Sequence, residues 1–176
     1  MTSGLKAQLA AHLQRHRDEG ILLDTNVLLL LWLATFDPRL IGGKRLEKYT
    51  PEDAVLLAGY VGQVKGFLTT STILTETSNL AALVLSGDRK LALFRRLFPL
   101  FGVSPPKGFH RCAVDGLTLD ESIFVRLGFT DASIVATAGQ RQHLLLTDDL
   151  DLYLAAQAQG APAINFTHMR EAAGLL

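Results

Sequence analysis

The chain has 176 residues, which is enough for one domain with a full hydrophobic core but not for two comfortable ones. Hydrophobic residues make up 48% of the chain and nine residues are Phe, so the composition excludes intrinsic disorder. The 17 basic and 17 acidic side chains give a formal net charge of zero, so any contact with nucleic acid must come from local basic clusters.

The sequence also predicts a protein that does not enter a membrane. The longest apolar run, Val27 to Ala34, is too short to span a bilayer, and the first 19 residues lack the long apolar core of a secretory signal. The lone cysteine, Cys112, excludes an internal disulfide framework and a thiolate zinc cluster. Together these features favour a cytoplasmic location, where thiols stay reduced.

Apolar spacing and turn residues divide the chain into short strands and helices. In the first half they predict a helix over 5–16, a strand over 21–23, a helix opening at Val27, a helix from Pro51 to about Gln63, a strand over 67–70, and a helix capped by Ser71 or Thr72. In the second half they predict a helix over 91–101, a loop over 105–108, an extended segment over 110–114, helices over 119–127 and 130–138, a strand over 143–147, a helix over 150–159, a strand over 161–166 and a terminal helix from His168.

The order of these elements predicts an α/β fold. Short strands that are apolar throughout are typical of parallel strands buried on both faces. Strands that alternate with helices predict one parallel sheet with helices on both faces. We predict that residues 1–19 form a helix packed on the domain and that residues 20–176 form the domain itself.

One carboxylate interrupts the apolar opening of this domain. Asp24 follows the predicted strand and precedes the predicted helix, so it lies at the carboxyl end of a strand, where open α/β sheets place their ligand crevices. A buried carboxylate costs several kcal/mol unless it is paired, hydrogen-bonded or bound to a metal. Two interpretations therefore stay open, a cap of the following helix and a functional site.

Three more acids occupy comparable places, near a strand end or a helix start, and with Asp24 the set is Asp24, Glu76, Asp131 and Asp149. Carboxylates about 4 Å apart repel by roughly 4 kcal/mol per pair at an effective dielectric near 20, so such a cluster needs protons or a cation. Hard oxygen ligands favour Mg²⁺ or Mn²⁺, ions that support phosphodiester cleavage. The alternative is that each acid only caps a helix.

Four segments carrying these acids resemble the PIN-domain nucleases, and particularly the VapC-type toxin ribonucleases; they cover 22–28, 71–76, 130–138 and 146–152. The resemblance implies a single Rossmann-like PIN domain that cleaves single-stranded RNA with a bound metal. It implies that the catalytic, metal-binding acids are Asp24, Glu76, Asp131 and Asp149.

The same resemblance assigns supporting roles. Asn26 would support the first acid, Thr147 would form a hydrogen bond within the site, and Asp151 matches a frequently acidic position. Asp148 matches a position that varies in the family, so a choice of Asp148 over Asp149 stays open.

The chain departs from a compact toxin in its N-terminal helix and in its long segment over 36–66. A stand-alone PIN nuclease of RNA maturation or decay therefore fits as well as the toxin of a toxin–antitoxin pair. The resemblance implies a homodimer, and an antitoxin protein as partner if the toxin interpretation holds. The main rival is a non-catalytic PIN-like module that binds RNA or a protein partner. A nucleotide-binding unit is disfavoured, because the sequence lacks a glycine-rich phosphate loop.

Two small basic clusters are the candidate RNA contacts. They consist of Lys44, Arg45 and Lys48 after the second predicted helix, and of Arg89 and Lys90 before the helix over 91–101. Solvated helix ends explain such clusters by default, and a phosphate-binding surface is the alternative.

Overall fold

The structure is a computed structural model that describes residues 2–101 and 108–176. The first half contains α1 (Thr2–Arg15), β1 (Ile21–Leu23), α2 (Thr25–Phe36), a 3₁₀ turn (Pro38–Leu40), α3 (Pro51–Val61), β2 (Phe67–Thr70) and α4 (Ser71–Val84). The second half contains α5 (Gly87–Phe101), β3 (Phe109–Cys112), α6 (Glu121–Leu127), α7 (Phe129–Arg141), β4 (Leu144–Thr147), α8 (Leu150–Ala158), β5 (Ala163–Asn165) and α9 (Phe166–Ala173).

The strands form one parallel sheet in the order β3-β2-β1-β4-β5, which confirms the predicted α/β fold. Every residue of β1 and β4 is buried, and successive side chains of a strand point to opposite faces, so helices cover both faces there. α1 packs against α9 and buries Leu9 and Leu13 in the core. In the described part of the chain, no helix combines the length and apolarity that crossing a membrane requires.

The strand order places a topological switch point between β1 and β4. From β1 the chain builds β2 and β3 on one side, and then returns to place β4 and β5 on the other. Leu23 lies opposite Leu146, and the Asp24 N–H donates to the Leu146 carbonyl at 3.1 Å, so the two strands end level. In open α/β sheets the ligand crevice lies outside the strand ends at such a point.

Several predicted boundaries are wrong by a few residues. α4 is capped by Thr70, whose hydroxyl accepts the Ile73 N–H at 3.2 Å, and not by Ser71 or Thr72. α5 begins at Gly87 rather than at residue 91, because its polar first turn resembles a loop in the sequence. α9 begins at Phe166 rather than at His168, because the Asn165 side chain caps it. Residues 105–107 of the predicted loop over 105–108 lie outside the described residues.

Candidate active site at the ends of β1 and β4

Asp24 lies at the centre of the candidate site and is only 2% exposed. One carboxylate oxygen, Oδ1, accepts the Val27 N–H at 2.7 Å and so caps α2. The other, Oδ2, accepts the Thr147 hydroxyl and, at 3.3 Å, the Asp148 N–H. Asp24 therefore caps a helix and also lies at the switch point, so the two interpretations of the sequence are compatible.

The electrostatic surroundings of Asp24 disfavour its charged form. Burial, and then the neighbouring Asp148 carboxylate, raise the pKa of Asp24 to about 7, although its three hydrogen bonds act in the opposite direction. Strongly raised pKa values in a crevice are a frequent property of functional carboxylates.

Asp148 lies beside Asp24 with a side chain that is 3% exposed. Its Oδ2 accepts the Tyr49 hydroxyl and lies 2.6 Å from the Lys48 Nζ. Its Oδ1 is buried and has no hydrogen-bond partner among the described residues. Buried polar atoms almost always have partners, so this carboxylate oxygen is available to accept a hydrogen bond or to bind a cation.

A second group of acids lies next to the first. Asp131, in the first turn of α7, is half-buried, and burial together with the Asp149 and Glu76 carboxylates raises its pKa to about 6. Asp149 is exposed and caps α8 by accepting the Leu152 N–H at 3.0 Å. Glu76 is exposed on α4, where its Oε2 accepts the Thr25 hydroxyl at 3.4 Å. Asp149 and Glu76 therefore each lie close enough to Asp131 to repel its carboxylate.

Thr147 joins the two groups. Its buried hydroxyl donates to the Asp24 carboxylate and accepts the Asp149 N–H at 3.0 Å. The other two predicted supporting residues lie near the site, and within the described residues neither forms a hydrogen bond to these acids. Asn26 is half-buried on α2, and no hydrogen bond in the described chain joins it to Asp24. Asp151 is exposed in the first turn of α8.

The five predicted basic residues have different surroundings in the structure. Lys48 reaches the acids through Asp148, whereas Arg89 pairs with Asp37. Lys44 and Arg45 are exposed in the segment before α3, and Lys90 is exposed on α5. Within the described ranges, Lys48 is the only one of the five that contacts an acid of the site.

Sequence reasoning missed Tyr49, which donates to Asp148 across 99 residues of chain. Burial, and then the Asp148 carboxylate, raise the pKa of Tyr49 far above its usual range, so its hydroxyl stays protonated and acts as a donor. The available signal was weak: Tyr49 precedes Thr50, which caps α3, and the sequence pattern of a helix start does not say what the preceding residue contacts.

The donor set fits a hard divalent cation, because it consists of carboxylate oxygens, one of them buried and free. The raised pKa values of Asp24 and Asp131 support the same conclusion, since a cation would relieve the repulsion that causes them in part. In residues 2–101 and 108–176, however, no three His, Cys, Asp or Glu side chains already stand at the spacing of a metal site.

Comparison of the chain with protein families, with curated proteins and with solved structures finds no match. The relation to the PIN-domain nucleases therefore rests on the four sequence segments and stays a prediction.

Proposed function

We propose that this protein is a PIN-type endoribonuclease that hydrolyses phosphodiester bonds of single-stranded RNA with Mg²⁺ or Mn²⁺. The observation that carries the proposal is the convergence of carboxylates from four separate chain segments at the switch point of a parallel sheet. They are Asp24 after β1, Glu76 on α4, Asp131 on α7, and Asp148 and Asp149 after β4.

Bringing these acids together costs free energy, because neighbouring carboxylates repel each other. Among the described residues, the only ion pair to these five acids is that between Lys48 and Asp148. The other four pair with no cation of the described chain, and two of them have clearly raised pKa values. A function that needs negative charge at this place explains why the repulsion is retained.

We propose different roles for these acids. Asp24 and Asp149 are the proposed direct metal ligands, and Glu76 and Asp131 complete the site or orient the attacking water. A bound divalent ion would polarise a phosphate oxygen, lower the pKa of water and stabilise the leaving oxygen. The Val27 N–H and the Thr147 hydroxyl hold the two oxygens of Asp24 in a fixed orientation, and the Thr25 hydroxyl donates to one oxygen of Glu76 at 3.4 Å.

The test is cleavage of a labelled single-stranded RNA in Mg²⁺, Mn²⁺ or EDTA by the wild type and by Asp24→Asn. Asparagine is an equally good helix cap, so the variant keeps α2 while it removes the charge. Asp120→Asn is the matched control, because Asp120 caps α6 by accepting the Ile123 N–H at 3.0 Å and lies outside the acid cluster.

We expect metal-dependent cleavage by the wild type and by Asp120→Asn, and none by Asp24→Asn. Equal cleavage by Asp24→Asn would contradict the assignment of the site. Absence of cleavage by folded wild type across several RNAs would favour the second candidate, a binding module.

The second candidate rests on exposed apolar side chains of three neighbouring helices, α6, α7 and α8. They are Phe124, Val125, Phe129, Leu150 and Leu154. Large exposed apolar surfaces often mark protein interfaces, so they support a partner surface. A homodimer and, for a toxin, an antitoxin are the proposed partners, and the molar mass in solution tests the dimer.

A further inference from the structure

The segment between α2 and α3, residues 37–50, brings two side chains to the acids. Tyr49 is buried, its ring packs against Phe166 at a centroid distance of 6.3 Å, and its hydroxyl donates to Asp148. This aromatic anchor fixes the end of the segment against the site. Lys48 immediately precedes it, so its position is set by the same anchor.

The main chain at Lys48 is also fixed from the other side. Arg170 of α9 donates from Nη2 to the Lys48 carbonyl at 3.1 Å and from Nε to Asp53 at 2.7 Å. Asp53 is fully buried and forms a capping box with Thr50 at the start of α3. Because a buried ion pair and a helix cap both hold this stretch, Lys48 does not lie in a freely moving loop.

The backbone of Lys48 is held in place, but its side chain is partly exposed. Its ammonium lies 2.6 Å from Asp148 Oδ2 and 5.3 Å from the centre of the Tyr49 ring, while the side chain is 55% exposed. An ammonium has three donors, and the structure engages one of them with a carboxylate. Lys48 thus presents a fixed positive charge to solvent at the edge of a cluster of negative charges.

We propose that Lys48 is a substrate-positioning residue that binds a phosphate oxygen of the RNA backbone beside the acids. The inference rests on the proposed function and adds to it the group that receives the substrate. An RNA strand that approaches the acids meets carboxylates that repel its phosphates, and Lys48 is the cation in the described chain that contacts those acids.

The test compares the loss of two lysine charges that differ in location. Lys48→Met removes the ammonium but keeps an apolar stem over Tyr49. Lys65→Met is the matched control, because Lys65 is 69% exposed, pairs with Asp18 at 2.7 Å, and precedes β2 at the amino ends of the parallel strands, opposite the carboxyl ends where the acids lie. Lys48→Arg restores the positive charge.

For Lys48→Met we expect KM for single-stranded RNA to rise about tenfold with kcat within about twofold of wild type, as for loss of one charged contact. The slope of log(kcat/KM) against log salt should become shallower by about 0.7, the value for one phosphate contact on a single strand. Binding of a fluorescent RNA to the protein in EDTA at low salt should weaken in parallel. Lys65→Met and Lys48→Arg should stay near wild type in all three measurements.

Two results would overturn the inference while the proposed function stands. One is equal RNA affinity, KM and salt slope for Lys48→Met and Lys65→Met with an active wild type. The other is a fall in kcat at unchanged KM, which would mean that Lys48 acts through Asp148 and not on RNA. A wild type that neither binds nor cleaves RNA would overturn both proposals. If Lys48→Met does not fold, Lys48→Gln takes its place in the same comparison.

Discussion

Asp24→Asn should make the metal-free protein more stable. The ordinary pKa of an aspartate, 3.8, rises to about 7 for Asp24 in the fold, chiefly through burial and then through Asp148. A shift of about three units corresponds to about 4 kcal/mol of unfavourable free energy for the charged form, as an upper bound. Asparagine removes this cost and keeps the cap of α2.

Part of that gain is lost in hydrogen bonds. Oδ2 of Asp24 accepts from the Thr147 hydroxyl and the Asp148 N–H, and an amide nitrogen in its place accepts from neither. We assign this loss about 1–2 kcal/mol. The net expectation is that the free energy of unfolding rises by about 2–3 kcal/mol at pH 8 in EDTA.

The stability gained by Asp24→Asn should depend on pH. Below pH 3.8 the carboxyl is protonated in both the folded and the unfolded protein, so its charge costs nothing. Between 3.8 and about 7 the folded state keeps a proton that the unfolded state has lost, so stability falls as pH rises. The advantage of Asp24→Asn should therefore be small at pH 5 and full at pH 8.

Urea denaturation of wild type, Asp24→Asn and Asp120→Asn at both pH values measures this. Hydrogen bonds from Ser122 and from the Ile123 N–H hold the pKa of Asp120 below its usual range, so Asp120→Asn should be neutral or destabilising at both. If Asp24→Asn is less stable than wild type by the same amount at pH 5 and pH 8, the fold does not destabilise the charged form of Asp24 and this prediction is wrong.

Two further predictions concern residues that hold the site. Thr147→Val should lower RNA cleavage by about 10–100-fold while Thr147→Ser stays near wild type, because the hydroxyl bonds both Asp24 and the Asp149 N–H; equal rates for the two variants would contradict this. Arg170→Met should lower the free energy of unfolding in urea by about 3–5 kcal/mol, because it leaves the buried carboxylate of Asp53 without its cation; an unchanged midpoint would refute it.

The fold could be predicted because its signals are local. Strands such as Ile21–Leu23 are apolar throughout, and the residues that follow them are polar, so the sequence marks both the buried strand and its end. Asp24 could be placed at the crevice for the same reason. The parallel order then follows from the alternation of strands and helices.

The predicted start of α4 was wrong because neighbouring residues share the same chemistry. Thr70, Ser71 and Thr72 all carry hydroxyls suited to cap a helix, and only the backbone geometry selects Thr70. The choice between Asp148 and Asp149 had a similar origin. The structure separates them: Asp148 is buried beside Asp24, whereas Asp149 caps α8 and repels Asp131.

Contacts between distant segments could not be predicted. The bond from Tyr49 to Asp148 spans 99 residues, and the bond from Arg170 to the Lys48 carbonyl spans 122. No periodicity or motif encodes such pairs, because the first depends on how the segment before α3 packs against the end of β4, and the second on how that segment packs against α9. Lys48 was therefore identified as basic from the sequence, but its position at the acids required the structure.

We propose that the carboxylates at the ends of β1 and β4, with those of Glu76 and Asp131, form one site for a hard divalent ion. Titration of EDTA-treated protein with Mn²⁺, followed by the electron paramagnetic resonance signal of free Mn²⁺, tests it directly. We predict saturable binding by wild type and Asp120→Asn, and an affinity weaker by more than about tenfold for Asp24→Asn. Equal Mn²⁺ affinity for wild type and Asp24→Asn would contradict the claim.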